Sequence, residues 1–271
     1  MRTLQGRVAV VTGAGSGIGR ATSVLLARNG CRLALVDVND QGMADTADLI
    51  RTAGGHVSQH HADVSSRSDM RRLPDQVTDA HGHVHIVVNN AGVGLTGTVE
   101  EISLENVDWI LGINFWGVVH GCKFFLPLLL QADEGHIVNL SSMLGFMGLP
   151  GQSGYCATKY AVLGYTAALT AELSATRIGV TSVHPGTIRT NIMQAARFPD
   201  EEQKRRIAAR VEGFAIPAER VAQKIVRAIL RNRPRVIVGT DAYAIHWLAR
   251  LAPILSLRGI SWAYRRYGSL G

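Results

Sequence analysis

Short apolar runs alternate along most of the chain with longer stretches of helical spacing. The runs at 8–11, 32–36, 57–61, 84–88, 136–140, 178–183 and 235–238 read as strands. Between them, 20–29, 40–53, 103–130, the Ala- and Leu-rich stretch 155–174 and 217–230 read as helices. Gly30 ends the first helix, Gly54 and Gly55 end the second, and Ser103 is placed to cap the third, with Glu105 in its first turn. Strands alternating with helices predict an α/β fold: a Rossmann-type, doubly wound parallel sheet of about seven strands, flanked by helices.

With 271 residues, 46% of them hydrophobic, and no Pro- or Ser-rich linker, the chain is expected to form one large domain. That domain covers 1–240, and 241–271 is a C-terminal extension, either part of it or peripheral. Cys31, Cys122 and Cys156 stand at unrelated spacings, which suits a reducing compartment. Met1-Arg2-Thr3 leads almost directly into the first strand, and the apolar run 124–130 is too short to span a bilayer, so the expected location is cytoplasmic. Charge is uneven: residues 1–199 hold 14 Lys and Arg against 15 Asp and Glu, whereas 200–271 hold 14 against 6. No aromatic-and-basic recognition module accompanies that excess, so nucleic acid is not the expected partner. The extension carries Trp247, Leu251, Ile254, Leu255, Trp262 and four arginines, with no acid after Asp241. That composition is what a membrane-surface segment needs; a subunit-interface or pocket-covering helix has the same look.

The candidate chemistry lies between the fifth strand and the helix after it. Tyr155 and Lys159 stand four apart at the start of that helix, so they share a face one turn apart. A free tyrosine, with a pKa of about 10, is a poor base at neutral pH, but a neighbouring ammonium favours the phenolate. Ser142 closes the fifth strand, and the loop after it can return its hydroxyl to the phenol; Ser141 qualifies by position alone. A second candidate is the turn with Gly13, Ser16, Gly17, Ile18 and Gly19 between the first strand and helix. Glycines there let a pyrophosphate approach the backbone, and the helix start offers free N–H groups. Asp37 closes the second strand eighteen residues after Gly19, where a carboxylate reads ribose hydroxyls and repels a 2′-phosphate.

These residues resemble the classical short-chain dehydrogenase/reductase family, from about residue 8 to 238. Ser142 with Tyr-x-x-x-Lys, thirteen residues on, matches the family's pattern, and Gly13, Gly17 and Gly19 match its glycine turn. The resemblance implies an NAD-dependent oxidoreductase that interconverts a secondary alcohol and its ketone. Tyr155 is then the acid/base, Ser142 orients the substrate oxygen, Lys159 assists, and Asn114 holds a water path beside the lysine. Asp63 and Val64 would meet the adenine; Asn90, Ala91 and Gly92, after the sheet-supporting Asn89, would lie beside the cofactor. Pro185, Gly186, Ile188 and Thr190 would cover the nicotinamide. Ser16 stands where relatives that use NADP often carry a basic residue, and Val38 follows Asp37, so NAD is favoured over NADP. The family's usual turn before the fourth strand makes His81, His83 and His85 solvated loop residues, and no metal site is assigned. Residues 190–214 would form a lid over the substrate. Leu144, Phe146, Leu149 and Met193 suggest an apolar pocket for a steroid, retinoid, fatty or terpenoid alcohol. A small diol or hydroxyketone, a reaction using the cofactor transiently, and a non-catalytic NAD-sensing role remain alternatives. The family's usual assembly implies a homodimer or homotetramer through the helices at 103–130 and 155–174.

Overall fold

All five residues of β1 (Val8–Thr12) are buried, because the strand lies mid-sheet with helices over both faces. In the computed structural model, which describes residues 1–189, 192, 195–205 and 215–267, β1 pairs with β2 (Arg32–Asp37) on one side. On the other side it pairs with β4 (Ile86–Asn89). β3 (Val57–His61) lies outside β2, and β5 (Gly135–Leu140), β6 (Ile178–Pro185) and β9 (Arg235–Val238) continue beyond β4. The order is β3-β2-β1-β4-β5-β6-β9, and every pairing is parallel. A separate two-residue ribbon joins β7 (Ile188–Arg189) to β8 (Ile216–Pro217). The chain leaves β1 in opposite directions toward β2 and β4, so the crevice at their carboxyl ends is where a ligand has room.

Two apolar layers hold the sheet between them. Ala9 and Val11 point to one face, where α1 (Gly17–Arg28), α2 (Asp40–Thr52) and α7 (Ala218–Arg231) contribute Leu26, Ile50, Val221 and Ile225. Val8 and Val10 point to the other face. There α3 (Arg67–His81), α5 (Gly117–Gln131) and α6 (Ser153–Glu172) bring Met70, Phe125 and Val162. Each such side chain, fully buried, contributes about 1.5–3 kcal/mol. The strand alternation thus sets which helix lies on which side.

Three local features differ from the sequence expectation. The polar stretch 67–81, with Pro74 inside it, is a helix that apolar spacing alone does not announce. Ser66 caps it by accepting from Asp69 N. The helix expected over 103–130 is α4 (Leu104–Leu111) and α5, joined by a π turn at Gly112–Trp116 that contains Asn114. By length and composition this helical run, Leu104–Gln131, could cross a membrane, but its buried side forms part of the core. Third, His81 and His85 are structural rather than solvated. His81 shares the Ser58 hydroxyl with His60, and His85 Nδ1 accepts from Val8 N at 3.1 Å. Burial, with Arg32 nearby, pushes His81 down to about 4, so it is neutral at pH 7.

Candidate active site

A cleft of about 1500 Å³ runs along the carboxyl ends of the strands, from the glycine turn at one end to Tyr155 at the other. At the first end, close backbone approach dictates the residue types. Gly13 and Gly17 have φ of 65° and 52°, which glycine adopts without strain. A Cβ on Gly19 would run into the Gly13 carbonyl oxygen. Asn90 ties the turn to β4 by donating from Nδ2 to Thr12 O and Gly13 O, and the Thr12 hydroxyl accepts from both Asn90 N and Ala91 N. Arg20 braces the other side, donating to Gly15 O at 2.6 Å and to the Thr46 hydroxyl at 3.0 Å. Thr12, Arg20 and Thr46 were not legible as site residues, because their work is done on backbone groups.

Asp37 lies at the cleft wall and accepts from Gly15 N and Asn39 N, one per carboxylate oxygen, leaving lone pairs for a diol. Ser16 precedes the first turn of α1 without capping it. The first-turn N–H groups, which have no intrahelical partners, therefore stay available. Asp63, held in a turn by bonds from Ser65, and Val64 line the same cleft, as do Gly92, Pro185, Gly186 and Ile188. A cradle without Cβ atoms, open helix-start amides and a half-buried carboxylate one strand away fit a dinucleotide with an unphosphorylated ribose. Replacing Gly19 by Ala should weaken NAD binding at least about tenfold, since the turn must open to take the methyl group. Fluorescence titration would measure this, and Gly164→Ala, with open space at its Cα, should bind like the parent.

At the second end Tyr155 and Lys159 rise from the first turns of α6, with the Lys159 ammonium 5.6 Å from the centre of the Tyr155 ring. Lys159 is buried and donates to Leu140 O at 3.1 Å. The two serines are told apart by their bonds. Ser141 gives its proton to Lys159 O at 2.8 Å, fastening α6 to β5. Ser142 Oγ accepts from Leu144 N at 3.2 Å, and its hydroxyl pairs with the Tyr155 phenol at the cleft wall.

The electrostatics depart from the sequence expectation of a lowered phenol pKa. Burial pushes Tyr155 up to about 12, against a smaller downward pull from the Ser142 hydroxyl. Burial also pushes Lys159 down to about 8. The low-dielectric surroundings penalise both charges. At neutral pH the phenol is therefore protonated and Lys159 is still mostly an ammonium.

Asn114 is fully buried in the π turn. Its Oδ1 accepts from Val93 N at 2.8 Å, and its Nδ2 donates to Val93 O at 2.9 Å and to the Thr158 hydroxyl at 3.3 Å. The amide thus clamps the 90–94 strip, and a Cβ on Gly92 would lie 3.2 Å from Asn114 Oδ1 and 3.5 Å from Lys159 Nζ. His184, whose role was not legible, is buried with Nδ1 at 3.1 Å from Ser142 O and Nε2 at 2.8 Å from the Ser182 hydroxyl. Burial pushes its pKa down to about 4. A neutral imidazole donating from Nδ1 holds the Ser142 backbone in place.

Among the apolar residues expected against substrate, Leu144 and Leu149 line the cleft. Phe146 does not. It stacks on His184 at 4.2 Å and meets the His246 ring at a tilt at 4.5 Å, behind the wall, because the short turn Met143–Gly145 rotates it away from the opening. Thr190 and Met193 lie outside the described residues, as does most of the expected lid. Of its described part, 192 and 195–205, the second stretch is anchored by Arg197, which lies over the Trp109 ring at 3.9 Å and donates to Asn106 Oδ1. The C-terminal extension joins the site through α8 (Thr240–Leu251) and α9 (Pro253–Tyr267). Asp241 accepts from Thr187 N at 2.8 Å and so fixes the turn after β6, while Tyr264 reaches the cleft itself.

Known proteins resemble this chain over most of its length. The family described as short chain dehydrogenase matches residues 7–201. SadH of Mycobacterium tuberculosis, named an oxidoreductase, is 40% identical over 255 residues, covering 93% of this chain and 92% of that one. A short chain dehydrogenase/reductase from Burkholderia phymatum, solved in complex with NAD, superposes with a TM-score of 0.87 at 33% identity, over 95% of this chain and 97% of that one. Levodione reductase superposes with a TM-score of 0.78 at 30% identity, over 89% and 98%.

Proposed function

The chain belongs to the short-chain dehydrogenase family, and from that premise we propose that it catalyses NAD-dependent interconversion of a lipophilic secondary alcohol and its ketone. The observation that carries the reading is one cleft with a dinucleotide cradle at one end and Ser142, Tyr155 and Lys159 at the other. NAD, bound along Gly13 to Gly19 with its ribose at Asp37, accepts or supplies the hydride. Ser142, whose hydroxyl pairs with the phenol, turns its proton to the substrate oxygen and holds that oxygen against Tyr155. Tyr155 gives its proton to that oxygen in reduction and takes it in oxidation. Lys159 supplies positive charge beside the phenol when it gives up its proton, and reaches the cofactor ribose. Asn114 keeps the π turn and the 90–94 strip in position, and the proton's onward path through water runs past it.

Leu144, Leu149, Pro150, Val93 and Ile192 make the substrate end apolar, which supports a steroid, retinoid, fatty or terpenoid alcohol over a small diol. The same reading has the enzyme work as a homo-oligomer through α4–α5 and α6, at the periphery of the membranes where such substrates reside. Nicotinamide absorbance with NAD or NADP and a graded panel of alcohols tests the reading. The expected result is NAD-linked turnover with kcat/KM at least about tenfold higher for lipophilic alcohols than for small diols, the size of one or two well-buried methylenes. A preference for small diols, or tight NAD binding with no reduction of any alcohol, would reject it.

A further inference from the structure

We propose that the outer face of α8 and α9 docks on an anionic lipid surface and turns a side opening of the cleft toward the bilayer. α9 is patterned inside out. The stripe turned to the protein holds Ser256, buried, with the half-buried Ile260, Ala263 and Tyr264. On the other side Ile254, Leu255 and Leu257 are each more than 60% exposed, and Leu251 at the end of α8 is 75% exposed. Trp247 and Leu248 on α8 extend the same apolar surface. A soluble helix puts its leucines inward, and an apolar surface of this extent marks a place where something else supplies the burial.

Charge selects the occupant. Arg250, Arg258, Arg265 and Arg266 are exposed among these side chains, and no Asp or Glu follows Asp241. A second copy packed on this face across a two-fold axis would set arginines against arginines with no carboxylate between them. Anionic headgroups offer each guanidinium a phosphate, and the acyl region accepts the leucines and tryptophan. Membrane-surface helices combine those same three components.

The face also borders the active site. Beside the main cleft lies a cavity of about 400 Å³ between α9 and the turn at 149–151. Ser261 and Arg265, on the exposed side of α9, line it, and Tyr264 lines both this cavity and the cleft. A docked α9 would thus give a lipid-soluble alcohol a way past Tyr264 to Ser142 without crossing water. This last step rests on the lipophilic-substrate reading; the docking does not.

The test is sedimentation of the full chain, without substrate or dinucleotide, with vesicles of phosphatidylcholine alone or mixed with phosphatidylglycerol. The protein should pellet with the mixed vesicles, remain in solution with phosphatidylcholine alone, and be released by high salt. Arg250→Glu with Arg258→Glu should weaken partition by about 30-fold or more, from the loss of two surface-attracted charges. Ile254→Ser with Leu255→Ser should weaken it comparably, and both variants should keep parental NAD affinity and mass by light scattering. Three results would each overturn the proposal: no partition on mixed vesicles, unchanged partition in both variants, or a fall in oligomeric mass in either, which would make this face a contact between copies. Partition as expected, in a protein that prefers small diols, would remove the substrate reading and leave the docking intact.

Discussion

Tyr155→Phe should lower turnover by about 10³-fold or more while NAD affinity stays within about twofold. The substitution removes one oxygen and keeps the ring, so the packing at the start of α6 and the distant glycine cradle are untouched. What is lost is the group that exchanges a proton with the substrate oxygen. Steady-state rates with the best alcohol, beside fluorescence titration with NAD, make the comparison; turnover within tenfold of the parent would remove Tyr155 from the mechanism. The burial that holds the phenol near 12 adds a directional expectation. Ketone reduction, which needs a protonated phenol, should stay fast across neutral pH. Alcohol oxidation, which needs the phenol to give up its proton, should rise with pH over the same range.

The same residue separates what the sequence carried from what it did not. Spacing placed Tyr155 and Lys159 on one helical face, and α6 begins where that spacing required. The seven strands were legible for a similar reason: each is a short apolar run, and all lie near the expected positions. The sign of the phenol shift was not legible, because it depends on how much protein surrounds the pair, a quantity that spacing does not encode. Other gaps share that origin. α3 was hidden by its polar face and Pro74, since its helicity rests on the Ser66 cap and on Met70, Leu73 and Val77 packing inward. Phe146 looked like a substrate contact because it is apolar and near Ser142, yet a three-residue turn decides which way it faces. Asn114 was found as an unusual polar residue in an apolar helix, but its partners, Val93 and Thr158, belong to a loop and a helix far away in sequence. Asp241 and Tyr264 lay beyond the resemblance, in an extension that the sequence left open as part of the domain or peripheral, and their side chains meet the turn after β6 and the cleft.

Lys159→Met should lower turnover by about 10²-fold or more and, at pH 7, make the fold more stable. The ammonium is almost wholly buried, and its pKa falls from 10.5 to about 8, a penalty of about 3 kcal/mol on the charged form. Methionine has a similar reach and no charge; it forfeits the charge-assisted bond to Leu140 O, worth about 1.5–3 kcal/mol, so the net gain is at most about 1.5 kcal/mol. The sign follows from linkage. Below about pH 8 the lysine is charged in both the folded and unfolded chain, and the whole penalty weighs on the native state. Between pH 8 and 10.5 the folded chain has released a proton that the unfolded chain keeps, so the contribution of this group to wild-type stability rises with pH. Above pH 10.5 the lysine is neutral in both and the penalty is gone. Urea unfolding of the two proteins should therefore show the variant ahead at pH 7 and the advantage closing toward pH 10.5. An equal or larger advantage at high pH would mean that packing, not charge, is the cause. A less stable variant at pH 7 would mean that the ammonium is stabilised where it sits. If the advantage closes as expected, the chain keeps a destabilising cation beside its phenol, and turnover rather than folding accounts for the lysine at this position.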